Sequence, residues 1–204
     1  AKLSAVTVRV VQGFYGDWGI VSASHKHAKL DSSTAQWTIR VPAGGKTTLL
    51  FRLAHELAAA GDTVLTTTTT KILMPREEQS AKVIIYPQIE KVLQEAKSII
   101  SEHRHLSAAA SYSASQDKLE GFAVSDVVRL QEAVLFQWIL VEEDGAIHRP
   151  LKAPAAHEPV IPLSSRWVIA VVGLDAVGQP LTEEWVFRSR LFADLTGMKI
   201  GAPF

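Results

Sequence analysis

The stretch "RVPAGGKTTLLFRLAHELAAAG", residues 40–61, decides the fold. It ends a strand predicted over 36–41, passes two glycines and enters an apolar helix predicted over 46–60. The helix is predicted to end at Gly61, because glycine is common just after a helix terminus. A glycine turn between a strand and a helix can direct backbone N–H groups at an anion. The stretch therefore predicts a phosphate-binding turn in an α/β fold.

Working outward from this stretch, segments typical of strands alternate with segments typical of helices. Further strands are predicted over 63–70, 82–86, 105–112, 136–145 and 166–175, and further helices over 88–103 and 124–134. The strands at 136–145 and 166–175 are apolar enough to be buried on both faces. Such alternation predicts an α/β protein with a P-loop-like three-layer fold and a mainly parallel sheet. We assign 36–204 to this nucleotide-binding domain and leave 1–35 as an unassigned N-terminal segment, read as an extra hairpin or a loosely attached piece.

The composition excludes several classes of function. The 204 residues are 47% hydrophobic and 21% charged, which is typical of a globular protein. Because 21 basic residues balance 21 acidic ones, we expect no nucleic-acid partner and no anionic membrane surface. No apolar run approaches the roughly 20 residues that span a bilayer, so we expect a cytoplasmic protein without a membrane partner. The absence of cysteine excludes thiolate metal ligands and covalent thiol chemistry in this chain.

The glycine turn carries the residues that a phosphate loop needs. Lys46 is placed to reach a phosphate, and the Thr47 hydroxyl is placed to contact Mg²⁺. The strict loop pattern would require glycine at position 40, where this chain has Arg40. The alternative is a structural strand-to-helix turn with an exposed lysine. The predicted nucleotide-binding residues are Ala43, Gly44, Gly45, Lys46, Thr47 and Thr48.

An acidic cluster follows the apolar strand at 136–145. Residues two apart on a strand share a face, so Glu142 and Asp144 are predicted to face one side and Glu143 the other. Carboxylates at the end of a buried strand beside a phosphate loop can hold Mg²⁺. The predicted metal-binding residues are Thr47, Glu142 and Asp144; the alternative is an ordinary acidic turn.

A third group of candidates is expected at the carboxyl edge of the sheet, where ligands of parallel α/β sheets bind. Gly44, Thr66, Asp144 and Asp175 are all predicted to lie at strand ends on this edge. The proline-containing loop at 148–162 is predicted to cross it, the alternative being a surface connector. The candidate substrate or partner residues are Thr69, Lys71, Arg149, Lys152, His157, Glu158 and Asp175.

Taken together, the motifs resemble those of a known family, the YqeC-type accessory proteins of selenium-dependent molybdenum hydroxylases. The resemblance is carried in chain order by "AGGKTTLLFRLAHELAAAG", "TTTTKI", "SQDKLEG", "VEEDGA", "RPLKAPAAHEPVIP", "VVGLDAVGQPL" and "LFADLTG". It implies a short variant phosphate loop that binds ATP or GTP with Mg²⁺. It also implies a role in molybdenum cofactor maturation, with the cofactor or a hydroxylase client as partner.

This chain departs from the family pattern at several positions. Pro42 stands where the family has the first loop glycine, and proline offers no N–H to a phosphate. Glu143 stands where a small residue is usual, and family members commonly continue into another strand beyond the position of Phe204, which implies a C-terminally incomplete domain.

Three functions remain open at this stage. In the first, an NTP hydrolase or NTP-dependent transferase uses Lys46 and Asp144 as catalytic residues. In the second, a degenerate nucleotide fold acts as a non-catalytic chaperone that binds the cofactor or a client. The third is an ATP-dependent ligase resembling the central domain of Mur ligases, which also contain G-K-T-T.

Overall fold

The computed structural model describes residues 6–13, 26–29, 34–41, 45–146 and 149–204. The strands in these ranges are β1 (Val6–Gly13), β2 (Lys26–Lys29), β3 (Thr34–Val41), β4 (Val64–Thr68), β5 (Lys71–Leu73), β6 (Val83–Ile85), β7 (His105–Ala109), β8 (Ser111–Ser113), β9 (Lys118–Glu120), β10 (Trp138–Glu142), β11 (Leu151–Lys152) and β12 (Val186–Phe187). The helices are α1 (Lys46–Ala59), α2 (Ile89–Ile99), α3 (Val124–Glu132) and α4 (Ser189–Thr196), and Leu174–Ala176 forms a short 3-10 helix.

The centre of the fold is a four-stranded parallel sheet with the order β10-β4-β7-β6. At least one helix lies in the chain between each pair of neighbouring strands, which provides the long connection that parallel pairing requires. The predicted α/β class with a mainly parallel sheet is therefore confirmed.

Helices cover both faces of this sheet. Leu65 of β4 packs in one apolar cluster with residues of α2 and α3, such as Val92. The neighbouring Thr66 side chain, on the opposite face, contacts His105 Nε2 at 3.0 Å, and the His105 ring lies 6.1 Å from the Phe51 ring of α1. Alternation along β4 thus separates α1 from α2 and α3 and gives three layers.

The parallel arrangement brings two strand ends to the same edge. Glu142, the last residue of β10, lies opposite Thr68, the last residue of β4. The Thr68 hydroxyl donates to the Glu142 carbonyl oxygen at 2.7 Å, which fixes the two ends together. The candidate site is built on this edge.

Gly121 allows a second, smaller sheet to pack against the end of β4. This three-stranded antiparallel sheet has the order β5-β9-β8, and Gly121 follows its middle strand directly. A Cβ atom at Gly121 would lie 2.0 Å from the Thr68 carbonyl oxygen, so a side chain does not fit. The glycine of the "SQDKLEG" motif therefore has a packing role.

The prediction of a strand over 166–175 is wrong. Residues 166–173 form no strand, and Leu174–Ala176 is a 3-10 helix. Trp167 is 47% exposed and Val168 63% exposed, so this apolar segment is not the buried strand expected from its composition. The Gly173 N–H donates to the Pro150 carbonyl at 2.8 Å, which ties the segment to the preceding loop instead.

Two other strand predictions need correction. All five residues of β10 are only half-buried, because β10 stands at one end of the order of the four-stranded sheet. The single strand predicted over 105–112 is divided into β7 and β8. The division falls at Ala110, whose N–H donates to Glu120 of β9 at 2.9 Å and so leads the chain into the smaller sheet.

The strand that precedes the glycine turn exists, but it belongs to another sheet. β3 pairs with β1 and β2 in a three-stranded antiparallel sheet with the order β1-β3-β2, and does not join the parallel sheet. The N-terminal segment 1–35 thus supplies two pairing partners of β3. Among the helices of the described ranges, none has the length and apolar character required to cross a membrane.

Candidate functional site

The N-terminus of α1 presents the residues of the glycine turn. Gly45 precedes the helix with φ of 73° and ψ of −144°, a conformation that favours glycine. No side chain caps this end, and the first amides of a helix have no acceptor within it. Lys46, Thr47 and Thr48 are partly exposed, and their backbone N–H groups have no acceptor within the helix. Pro42 and the predicted contacts Ala43 and Gly44 lie outside the described residues.

Thr47 and Glu142 meet although they are far apart in the chain. The Thr47 hydroxyl donates to Glu142 Oε2 at 2.6 Å. Helix α1 therefore begins at the carboxyl edge of the sheet, where β10 ends. Two of the three predicted metal-binding side chains are in direct contact.

The electrostatic environment of Glu142 favours a nearby cation. Burial raises the pKa of Glu142 above its ordinary value, while the hydrogen bond from Thr47 and the positive charge of Lys46 lower it. The negative charge of Asp144 adds to the rise. A cation at this point would stabilise the ionised carboxylate against both burial and its acidic neighbour.

Asp144, the third predicted metal-binding residue, has a different partner. Its carboxylate is ion-paired with Lys152, whose side chain is only 4% exposed. Lys152 also pairs with Glu158 at 2.8 Å, and Glu158 pairs with Arg188. Lys152 and Glu158, both predicted in the substrate or partner loop, thus join Asp144 in one alternating chain of charges that ends on Arg188.

Arg188 was missed by the sequence analysis. It precedes α4 with φ of 61°, its guanidinium lies 4.7 Å from the centre of the Phe187 ring, and it donates to the Ala153 carbonyl at 3.2 Å. The hydrogen bond from Arg188, together with those from Lys152 and the Ala155 backbone N–H, lowers the pKa of Glu158 to about 2. The segment "VFRSR" contains two arginines, and nothing in it indicates that Arg188 pairs with a residue 30 positions away.

Glu143 differs from its two neighbours. Burial raises the pKa of Glu143 to about 7, so the side chain is only partly ionised near neutral pH. Glu143, which stands where the family usually has a small residue, therefore adds less than a full negative charge beside the site.

The threonines after β4 lie beside Glu142. The Thr69 backbone N–H donates to the Glu142 carbonyl at 3.1 Å, and its buried hydroxyl has no hydrogen-bond partner among the described residues. Lys71 instead pairs with Glu120 of β9 at 2.6 Å, on the exposed side of the smaller sheet. The structure shows Thr69 beside Glu142 and gives Lys71 a different partner.

The remaining candidates are dispersed. Thr66 lies in the middle of β4, where its hydroxyl bonds Ser107 at 2.7 Å, so its prediction at the strand end is wrong. Asp175 is exposed in the 3-10 helix and follows no strand, so its predicted place at a strand end is wrong as well.

Two further candidates lie in the loop at 149–162. Arg149 donates to the Glu183 carbonyl, and His157 is exposed. The loop itself contains β11, which pairs with β12 in parallel.

The side chains at this edge suit a small hard cation. Thr47 and Glu142 supply a hydroxyl and a carboxylate in contact, and Thr69 has a buried hydroxyl that makes no hydrogen bond to any described residue. Oxygen donors of this kind are those that Mg²⁺ prefers, and it usually takes one or two carboxylates together with substrate phosphates and water. Within the described ranges, no group of three or more acidic or histidine side chains forms a metal cluster.

Two comparisons relate the chain to known proteins. The family described as "YqeC protein" matches residues 40–190. A protein of Escherichia coli (strain K12), named "Uncharacterized protein YqeC", is 41% identical over 160 residues, which make up 78% of this chain and 59% of that protein. The chain therefore spans less than two thirds of this relative. No solved structure matches the chain significantly.

Proposed function

The chain belongs to the YqeC family, and on that premise we propose that it binds a nucleoside triphosphate with Mg²⁺ at the N-terminus of α1. The nucleotide is ATP or GTP, held in a P-loop-like manner. With the nucleotide bound, the protein acts as an accessory factor in the maturation of the molybdenum cofactor of selenium-dependent hydroxylases.

One observation carries the nucleotide part of this proposal. The hydroxyl that follows the loop lysine donates to the carboxylate at the end of β10 at 2.6 Å. In phosphate-loop proteins the corresponding pair, a Ser or Thr after the lysine and a carboxylate at a strand end, holds the nucleotide's Mg²⁺. A purely structural turn with an exposed lysine does not require this contact across 95 residues.

Each residue then has a defined part. The first backbone amides of α1 and the Lys46 ammonium bind the phosphates, and Thr47 and Glu142 hold the metal. A Mg²⁺ ion held there by Thr47 and Glu142 would supply positive charge that offsets the negative charge of the phosphates. Asp144 completes the acidic side of the site, and Lys46 stabilises the charge that develops on the phosphates during transfer.

The molybdenum part rests on the family resemblance. Its partners are the molybdenum cofactor or a hydroxylase client, and the loop at 149–162 beside Asp144 is the surface proposed to meet them. Since this chain has no cysteine, any selenium or sulfur that it handles is bound noncovalently or carried by the partner.

A non-catalytic chaperone is the second candidate, and one observation favours it. Asp144 is already neutralised by Lys152, which leaves Glu142 as the carboxylate in contact with Thr47. In that case nucleotide binding regulates the contact with cofactor or client, without turnover.

The test of the proposed function compares two adjacent threonines. Thr47→Val removes the hydroxyl that contacts Glu142, whereas Thr48→Val removes a neighbouring hydroxyl and leaves its backbone N–H. In Mg²⁺, we expect Thr47→Val to lower the affinity for ATP or GTP about tenfold or more, which is the scale of a lost contact to a metal ion. In EDTA, the same substitution should have little effect on the affinity. Thr48 is proposed to meet the nucleotide only through its backbone N–H, which Thr48→Val keeps, so this variant should bind as the parent does. Equal affinities of both variants in Mg²⁺, measured by calorimetry, would contradict the proposed site.

A further inference from the structure

We propose that Lys152 is a positioning residue of the nucleotide site, which occupies the Asp144 carboxylate in the nucleotide-free protein and releases it when Mg²⁺ arrives with the nucleotide. This inference rests on the proposed function, and it concerns which charges of this chain compete with the metal. Because Lys152 belongs to the loop at 149–162, the inference links this loop directly to whether nucleotide and Mg²⁺ are bound.

The burial of Lys152 shows that its ammonium is held by its partners and not by solvent. Its side chain is 4% exposed, while the Asp144 and Glu158 side chains are 25% and 22% exposed. A buried ammonium requires an ionised partner, because unpaired burial of a charge is very costly. Lys152 has two such partners, so it can lose one and remain paired.

Glu158 makes this release inexpensive. It stays 2.8 Å from Lys152 and is itself held by Arg188, which also donates Nη2 to Glu158 Oε1 at 3.4 Å. The partner that Lys152 retains is therefore anchored on the far side, at the start of α4. No second cation holds Asp144 among the described ion pairs, and Asp144 follows Glu142 by two residues at the end of β10.

The charges explain why a placeholder is needed. Glu142 and Asp144 are two acidic residues separated by one position at the end of β10, so their like charges repel each other when no cation is near. In the free protein, the Lys152 ammonium offsets this repulsion. A cation that binds at Glu142 removes the need for it and competes with Lys152 for Asp144.

Two substitutions should shift the Mg²⁺ requirement in opposite directions. Lys152→Met removes the competing charge and keeps an apolar side chain of similar length. The Mg²⁺ concentration that half-restores ATP binding should fall roughly three- to tenfold, a modest factor because solvent reaches the Asp144 end of the pair. Glu158→Gln leaves Lys152 with Asp144 alone, so that concentration should rise by a similar factor. Lys97→Met, which removes an exposed charge in the last turn of α2, is the matched control and should behave as the parent.

The experiment titrates MgCl₂ into the full chain with ATP, and in parallel with GTP, after removal of metal by EDTA, and follows nucleotide binding by calorimetry. In an Asp144→Asn background, Lys152→Met should have no further effect, because the two residues act through one pair. A merely structural Lys152 predicts lower thermal stability with an unchanged Mg²⁺ requirement, which would overturn the inference. If Lys152→Met does not fold, an unchanged or lower requirement in Glu158→Gln overturns it equally. Absence of nucleotide binding by the parent would instead contradict the proposed function.

Discussion

The pair formed by Glu158 and Arg188 should contribute measurably to stability. Glu158 has a pKa of about 2 in the folded protein against an ordinary value of 4.5, first because Arg188 hydrogen-bonds it and then because Lys152 does. At about 1.4 kcal/mol for each pH unit, this difference sets an upper bound of about 3.4 kcal/mol on the stabilisation at neutral pH. Because solvent reaches 22% of the Glu158 side chain, we expect Glu158→Gln to lower the free energy of unfolding by about 1 to 3 kcal/mol at pH 7.

The pH dependence follows from the sign of the shift. A carboxyl group whose pKa is lower in the folded state stabilises the fold above its unfolded pKa, and this stabilisation is lost as pH falls through the folded pKa. The difference between parent and Glu158→Gln should therefore be full at pH 6 to 7, shrink from about pH 4.5 and vanish near pH 2. Urea unfolding at several pH values measures it. Glu120→Gln, which breaks the exposed pair with Lys71, is the control and should give a clearly smaller loss. A Glu158→Gln difference that is as small as the control, or that does not change between pH 7 and 3, would refute the reasoning.

Three further predictions concern the packing at Gly121, the end of β10 at Glu142 and the glycine turn at Pro42. Gly121→Ala should lower the free energy of unfolding by about 3 kcal/mol, since its Cβ would meet a β4 carbonyl. Gly145→Ala, whose Cβ would meet no described residue within 4 Å, should change it by no more than about 0.5 kcal/mol, and equal losses would contradict the packing role. Glu142→Gln should weaken nucleotide binding about tenfold in Mg²⁺ but not in EDTA, and Glu143→Gln should not; matching Mg²⁺ responses in the two variants would remove the strand end from the site. Pro42→Gly should tighten nucleotide binding by restoring an N–H, and unchanged affinity by calorimetry would show that the turn does not need it.

Those parts of the fold that rest on local pattern were predictable from the sequence. Helices α1, α2 and α3 and strands β4 and β6 lie within the predicted ranges, because apolar periodicity and β-branched runs reflect which face is buried. The apolar residues 166–173 follow the same rule and yet form no strand. A strand also needs a hydrogen-bonded neighbour, and strand pairing depends on tertiary context that one sequence does not contain.

The same distinction applies to the candidate site. Thr47 and Glu142 could be named together because the chemistry of a phosphate loop requires both types of residue, although only the structure shows their contact. The chain of charges from Asp144 to Arg188 could not be predicted, because it joins residues that are distant in sequence and that carry no common motif. Such long-range ion pairs depend on the conformation of loops in the tertiary structure, and the hydrophobic periodicity of the sequence carries no information about that conformation.

Nucleotide binding by the parent protein and by Lys46→Ala tests the central claim most directly. Lys46 starts α1 beside Thr47 and is partly exposed, so its removal should leave the fold intact. Calorimetry with ATP, GTP and CTP, each with Mg²⁺, should show that the parent binds ATP or GTP. Lys46→Ala should bind that nucleotide more weakly by about 1.5 to 3 kcal/mol, the scale of a charge-assisted hydrogen bond. Equal affinity of parent and Lys46→Ala, or no binding of any nucleotide by the parent, would contradict the claim that this turn is a nucleotide site.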